Sequence, residues 1–318
     1  MSDRVQRAGR TITGPRGWFS KRDGGVLPAT AAAVLALLGL LALLAAVAPA
    51  AAQAATGSGQ SGAAQYALIV NGDDSFTHNY NVSLALASLQ QLGYAPQDTF
   101  VLAPAQSTAA APAVWRQAAS EQGLRQALAR LHQRMRSGDL LLVYLTGHGY
   151  RMFGHTSLGL QSGAITASEL MHQLAELPFG KLILIADQCY SGGFASAAVA
   201  LGRNVVAVAS TDDRHEVRCE PFIRPLWLAA VAAESDANHD GFVSVEQAFR
   251  VAVDGLRRAG GGTAEEAPRF ATSGSCAGHE NRFSAAAPVA PADTARAAGL
   301  AAPAAAAPAP LPAGNGSR

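Results

Sequence analysis

Charge is scarce in this chain of 318 residues, and its two signs nearly cancel. Charged residues make up 15% of the sequence, and 24 lysines and arginines against 23 aspartates and glutamates leave a formal net charge of +1. Basic residues form a block only near the N-terminus. The sequence therefore lacks the electrostatic footprint of a nucleic-acid-binding protein, and we expect no nucleic-acid partner.

Both ends of the chain lack the composition of a folded domain. Basic residues precede the uncharged run AAAVLALLGLLALLAAV, and small residues follow it at the spacing that signal peptidase prefers, so residues 1–54 are predicted to be a Sec-type signal peptide. An uncleaved signal anchor is the alternative, and it would attach the protein to a membrane. In both cases we expect an exported protein, periplasmic or secreted. Residues 55–64 are predicted to be a linker, and the alanine- and proline-rich residues 285–318 a disordered tail.

Cysteine is rare, since Cys189, Cys219 and Cys276 are the three in the chain. Three cysteines in an exported protein permit one disulfide and one free thiol, and the simplest division pairs Cys219 with Cys276 and leaves Cys189 free. Two unpaired structural cysteines are the alternative, because sequence alone cannot place their Cα atoms within bridging distance.

Residues 65–284 alternate between apolar runs and helical stripes. Five runs that end in turn residues are predicted to be buried strands: YALIVNG, DTFVLAP, DLLLVYLTGHG, KLILIADQCYSGG and NVVAVAS. Residues at helical spacing lie between them, and TASE at 166–169 is a capping box that begins one helix. Residues 150–163 are predicted to be a loop or small hairpin outside the sheet. The pattern predicts an α/β fold, with a mostly parallel sheet covered by helices on both faces.

Two reactive side chains follow the ends of two of these strands. His148 follows LLLVYLT, and Cys189 follows LILIAD, where a thiol that only filled space would lie within the apolar run. Open α/β sheets place their chemistry at the carboxyl ends of strands. A cysteine nucleophile also needs a base nearby, because an ordinary thiol is mostly protonated at neutral pH. We therefore predict that His148 and Cys189 form a catalytic pair.

The sequence has TGHG after an apolar strand and DQCYSGG about forty residues later. In this pattern it resembles the legumain-like cysteine peptidases of the caspase and gingipain superfamily, which also contains the catalytic subunit of the GPI transamidase. The resemblance covers residues 66–252 and includes ITASEL. It implies a caspase-like α/β fold, Cys189 as nucleophile, His148 as its partner, and an oxyanion hole of backbone amides near Gly149 and Cys189.

The resemblance also implies roles for three further residues. Asn79, in HNYNVS, matches a family asparagine that would orient His148, although it could equally cap a helix. Asn81 stands where the family has a substrate-binding arginine. Asp187 matches an acid of the specificity pocket, and without that arginine it would favour lysine or arginine in the substrate; its alternative role is a structural hydrogen-bond acceptor.

The segment DANHDGFVSVEQ, residues 236–247, has the ligand order of an EF-hand calcium loop, except at its last position, where Gln247 replaces the bidentate glutamate. We expect either weak calcium binding or a metal-free loop that caps the next helix. The predicted ligands, in order, are Asp236, Asn238, Asp240, Phe242, Ser244 and Gln247.

The sequence thus predicts a cysteine endopeptidase that cleaves a peptide or protein substrate through an acyl-thioester and needs no cofactor for its chemistry. A transpeptidase would use the same residues, with an amine in place of water. An inactive peptidase fold that binds a partner in the presence of calcium is the alternative from another class.

Overall fold

A computed structural model describes residues 62–105, 107, 114–217, 220–259, 267–275 and 281–284 of the chain. The predicted signal peptide, most of the linker, the tail, and the cysteines at 219 and 276 lie outside these residues. In the described ranges, no helix has both the length and the apolar character that crossing a membrane would require.

A seven-stranded sheet forms the centre of the fold. Its strand order is β10-β9-β8-β4-β1-β2-β3, and only β10 runs antiparallel to its neighbour. The strands of this sheet are β1 (Gln65–Asn71), β2 (Thr99–Ala103), β3 (Trp115–Ala118), β4 (Asp139–Thr146), β8 (Phe179–Asp187), β9 (Val205–Ala209) and β10 (Arg269–Ser273). The five predicted strands are all present, and the prediction of a mostly parallel α/β sheet is confirmed.

Helices cover both faces of this sheet, as predicted. The described helices are α1 (Phe76–Gln91), α2 (Glu121–Arg134), α3 (Ala167–Ala175), α4 (Gly192–Val199), α5 (Glu220–Val231) and α6 (Val245–Arg258). The predicted capping box is observed at the start of α3, where the Thr166 and Glu169 side chains each bond to the other's backbone N–H.

Strand β4 shows how the two faces are built. All eight of its residues are buried. Leu141, Val143 and Leu145 join the core under α2, α3 and α4, whereas Leu142 and Tyr144 join the core under α1, α5 and α6. A strand buried on both sides needs a continuous apolar run rather than alternation, which is why LLLVYL specifies a central strand. The architecture is consistent with the caspase-like fold that the resemblance implies.

A second, three-stranded antiparallel sheet follows β4 in the chain. It contains β5 (Gly149–Met152), β6 (His155–Gly159) and β7 (Ala164–Thr166) in that order, so β5 is an edge strand. The prediction of a small hairpin outside the main sheet is therefore confirmed for β5 and β6. The turn that joins them lies close in sequence to His148.

Candidate active site

The register of β4 and β8 places His148 and Cys189 at the same edge of the sheet. The ladder pairs the two strands up to Thr146 and Asp187, and each reactive residue lies two positions beyond that last pair. Strand β1 ends beside them, because Asn71 pairs with Thr146 on the other side of β4. Parallel neighbours thus bring three strand ends together, as the sequence pattern predicts.

Gly149 is packed directly against the backbone of Cys189. A Cβ atom at position 149 would lie 1.9 Å from the Cys189 carbonyl oxygen, a distance that no side chain could tolerate. Glycine is therefore required for β5 to begin here. The contact brings the backbones of the two predicted oxyanion-hole residues together.

The Cys189 side chain is half-buried and is held by the backbone of Val217. The Val217 N–H donates to the sulfur at 3.4 Å, and the thiol donates to the Val217 carbonyl oxygen at 3.8 Å. Burial raises the pKa of the Cys189 thiol, the Val217 N–H opposes that effect, and the nearby carboxylate of Glu216 adds to it. The sulfur is therefore a protonated thiol at neutral pH and needs a base before it can attack.

Tyr190, next to the thiol, has an unusual backbone conformation. Its φ of 61° lies in the left-handed region, which bulky residues rarely adopt. Two bonds from the loop before α5 hold it: its N–H donates to the His215 carbonyl oxygen at 2.9 Å, and its hydroxyl donates to Glu216 at 3.2 Å. Backbone strain of this kind occurs preferentially at functional sites.

His148 is paired with a carboxylate, that of Asp73. The Nε2 atom lies 2.6 Å from Asp73 Oδ2, and the imidazole is 68% exposed while Asp73 is largely buried. Partial burial opposes ionisation of Asp73, but hydrogen bonds from Ser75 and the nearby His78 and His148 outweigh it and lower the Asp73 pKa. Asp73 is therefore ionised at neutral pH and presents a negative charge to the His148 ring.

Asp73 was not among the residues predicted from the sequence. Its position in NGDDS, directly after the apolar run of β1, is the signal that could have identified it, because an acid at a third strand end can reach the other two. His78 is a second such residue: its Nδ1 lies 2.8 Å from the Thr146 hydroxyl, and its ring contacts that of His148 edge-on, with the centroids 6.0 Å apart.

Asn79 has neither of its two predicted roles, which were to orient His148 and to cap a helix. Helix α1 begins after Ser75, so Asn79 is not its cap, and its hydrogen bonds do not include His148. Its side-chain amide donates to the Asp74 carbonyl oxygen at 2.7 Å and accepts from Asn71 at 3.2 Å. Asn79 therefore holds the loop that carries Asp73, and any effect on His148 is indirect.

Asp187 is completely enclosed by hydrogen-bond donors. Its carboxylate accepts from four side chains: Asn81 at 3.3 Å, Tyr144 at 3.2 Å, Thr146 at 3.3 Å and Ser210 at 2.7 Å. Its exposure is 0%. These contacts favour the alternative role of a structural acceptor over that of a pocket wall.

The expectation that Asn81 removes positive charge from this region is wrong. Asn81 is buried, and its side-chain oxygen accepts a hydrogen bond at 3.0 Å from the guanidinium of Arg224, which also lies over the ring of Tyr80. Helix α5 thus supplies a cation beside Asn81. The predicted preference for lysine or arginine loses its premise, because Asp187 is neither exposed nor uncompensated.

The EF-hand-like loop is closed by its own hydrogen bonds. Asp236 accepts from the backbone N–H groups of Asp240 and Gly241, as in a calcium loop, but Gln247 forms a capping box with Ser244 and its side-chain amide donates to Asn238 at 2.8 Å. A donor group therefore points at a predicted ligand.

The surroundings of this loop supply a positive charge. The Arg282 guanidinium lies 3.4 Å from Asp240 and stacks on the Phe242 ring. Among the described residues, no group of three or more His, Cys, Asp or Glu side chains is placed to hold a metal ion. Gln247 therefore caps the next helix, and weak calcium binding stays a prediction.

Comparisons with known proteins do not identify a family. No protein-family model matches the chain, and no curated protein matches it. The resemblance to legumain-like peptidases therefore rests on the motifs around His148 and Cys189.

Proposed function

We propose that this chain is an exported cysteine endopeptidase of legumain-like type. The observation that carries the proposal is the position of His148 and Cys189, each two residues beyond the same register pair of adjacent parallel strands, with the Asp73 carboxylate on His148. A nucleophile, a base and a group that orients the base are the three parts that covalent catalysis requires.

The contact with Asp73 supports a separate role for each imidazole nitrogen of His148. Because Nε2 lies against a carboxylate, it keeps its proton and donates a hydrogen bond to Asp73, which leaves the lone pair of Nδ1 to accept the proton of the thiol. This proton transfer is necessary because burial holds the Cys189 thiol in its neutral form. Asp73 then stabilises the imidazolium that results.

The reaction proceeds in two acyl-transfer steps. The thiolate of Cys189 attacks the carbonyl carbon of the scissile amide, and backbone amides near Gly149 and Cys189 stabilise the oxyanion that develops. The C–N bond breaks as the imidazolium returns its proton to the amine, which leaves an acyl-thioester. Water then attacks the thioester while His148 accepts its proton, and the carboxylic acid and the thiol are released.

This chemistry needs no cofactor, and the proposed partner is a peptide or protein substrate rather than a nucleic acid. Loop 236–247 supplies no step. Its donor set does not fit calcium well, since the Gln247 amide donates towards Asn238 where a bidentate carboxylate would be required. Binding of calcium there is proposed to be weak.

Active-site variants test the proposal. Cys189→Ala and His148→Ala should each abolish cleavage of a fluorogenic peptide library, and the double variant should be no worse than either single variant, because the two residues act as a unit. His172→Ala, which removes an exposed histidine from α3, is the matched control and should retain activity. An acyloxymethyl ketone should label Cys189 in the wild type.

Two results would contradict the proposal. One is Cys189→Ala activity within about tenfold of the wild type, since loss of a nucleophile costs several orders of magnitude. The other is a folded protein that neither cleaves the library nor reacts with the ketone, which would favour an inactive binding module. An added amine that is incorporated into the product would identify a transpeptidase.

A further inference from the structure

The turn between β5 and β6 contains an aromatic residue in a conformation that disfavours it. Phe153 has a φ of 51° and is followed by Gly154 with a φ of 82°. Two positive values at the centre of a two-residue hairpin define a type I′ turn, which prefers asparagine, aspartate or glycine at its first central position. Phe153 is 95% exposed, so no packing within the described protein offsets the cost of placing phenylalanine at this turn position.

Phe153 belongs to a larger apolar surface on the same hairpin. Tyr150 and Met152 share one face of β5, because side chains two apart point the same way, and they are 46% and 61% exposed. We call Tyr150, Met152 and Phe153 the apolar hairpin face. Large apolar side chains exposed together are typical of a binding surface rather than of an ordinary protein surface.

The opposite face of the hairpin is anchored to the body of the protein. Leu158, which pairs with Gly149, is fully buried, and Thr156, which pairs with Arg151, packs against Gly193 at the start of α4. The hairpin is therefore held in place, and its apolar face is the side left open.

The free edge of β5 leads away from the reacting residues. The strand begins at Gly149, between His148 and the Cys189 carbonyl, and residues 149–152 make no backbone hydrogen bonds in the described part of the chain outside their ladder with β6. An edge strand of this kind can pair with an extended peptide. At about 3.3 Å per residue, Phe153 lies about 13 Å along the strand from Gly149, which an extended peptide spans in about four residues.

We propose that the apolar hairpin face binds apolar side chains of an extended polypeptide substrate, three to four residues from the scissile bond, while the peptide backbone pairs with the edge of β5. This inference rests on the proposed function, because it assigns the substrate class of the same site. Pairing with a strand presents alternate residues to one face, so the preferred substrate has apolar residues at alternate positions. A backbone edge that begins at the catalytic histidine favours a peptide over a lipid surface.

Binding to an inactive protein tests the inference without turnover. Two labelled decapeptides that differ only in two alternate positions, leucine in one and serine in the other, are titrated against Cys189→Ala and followed by fluorescence anisotropy. The leucine peptide should bind at least about tenfold more tightly, the effect of burying about one apolar side chain.

Variants of the hairpin should remove that difference. Phe153→Asn in the Cys189→Ala background should abolish most of the tenfold preference and at the same time raise the melting temperature, because asparagine suits the turn. Met152→Ser, which leaves the turn unchanged, should weaken the same preference. Leu228→Ser is the control, since Leu228 is 56% exposed but lies on α5, and it should have no effect.

Equal binding of the two peptides, or an undiminished preference in both Phe153→Asn and Met152→Ser, would overturn the inference. So would Phe153-dependent sedimentation with vesicles of phosphatidylcholine and phosphatidylserine in the absence of any peptide preference, because the surface would then bind membranes. Binding of the leucine peptide through Phe153, in a protein that neither cleaves the peptide library nor reacts with the ketone, would support the surface and refute the peptidase. The two proposals can therefore fail separately.

Discussion

Adjacent aspartates offer a matched test of the proposed base. Asp73 contacts His148, whereas no hydrogen bond or ion pair of the Asp74 side chain is observed in the described residues, and its contribution is a backbone carbonyl held by Asn79. Asp73→Asn should therefore impair turnover, and Asp74→Asn, the same substitution one residue later, should not.

The size of the effect follows from the contact between Asp73 and His148. Two unit charges 2.6 Å apart interact by about 1.6 kcal/mol at the dielectric constant of water, and because the imidazole is 68% exposed the pair lies near that limit. Salt screening lowers the value further, so the charge effect on the rate is at most about tenfold. Loss of the orientation that Asp73 gives the ring should lower kcat by a further factor of about 10 to 100.

The assay is the pH dependence of kcat/KM for a fluorogenic peptide, measured for the wild type and both asparagine variants. Asp73→Asn should lower kcat with little change in KM across the pH range, because the ring of His148 loses the group that orients it. Asp73→Glu, which restores the charge, should recover part of the activity. If Asp73→Asn and Asp74→Asn have equal activities and superimposable profiles, Asp73 does not position His148.

Three other substitutions test the remaining features of the site. Asp187→Asn should lower the free energy of unfolding in urea by about 1–3 kcal/mol, because it disturbs a buried carboxylate that accepts from four donors, and the exposed Asp213→Asn should leave it unchanged. A changed preference between lysine and asparagine substrates without loss of stability would instead place Asp187 in the substrate pocket. Gln247→Glu should tighten calcium binding measured by calorimetry, since it supplies the missing bidentate ligand, and an absence of calcium-dependent heat in both proteins at millimolar metal would show that the loop is only structural. Glu216→Gln should lower the pKa of the Cys189 thiol, because it removes a nearby negative charge, and should accelerate alkylation of the thiol by iodoacetamide at neutral pH. An unchanged rate would mean that Glu216 does not act on the sulfur.

The sheet was predictable because its central strands are buried on both faces. Continuous apolar runs such as LLLVYL and LILIA are typical of a central parallel strand, and the polar and glycine residues that follow each run mark the end of the strand. The edge strands β3 and β10 were missed. WRQA in β3 and RFATS in β10 are partly exposed and carry polar residues, so their pairing depends on neighbours that the sequence does not reveal.

The candidate site was predictable to the extent that strand order determines it. His148 and Cys189 follow directly from the ends of β4 and β8, but Asp73 and Asn79 lie in and after a loop whose path depends on hydrogen bonds among Asn71, Asp73 and Asp74. Two side chains of helix α1 also point to different parts of the site, since Asn79 contacts this loop and Asn81 contacts Asp187. Arg224, more than 140 residues away in sequence, had no local signal at all.

The pairing between β4 and β8 also determines where the chain can tolerate the insertion or deletion of a residue. Its only irregularity lies at the amino end, between Asp139 and Leu140, where Gly180 has no partner in the register. An insertion or deletion of one residue before this point would change the irregularity or the preceding connection and leave the register of the later pairs unchanged. The same change after it would move Cys189 by about 3.3 Å along β8 and turn its side chain to the opposite face of the strand. Length variation among descendants of this sequence should therefore accumulate on the amino side of Gly180 and be absent between that glycine and the thiol.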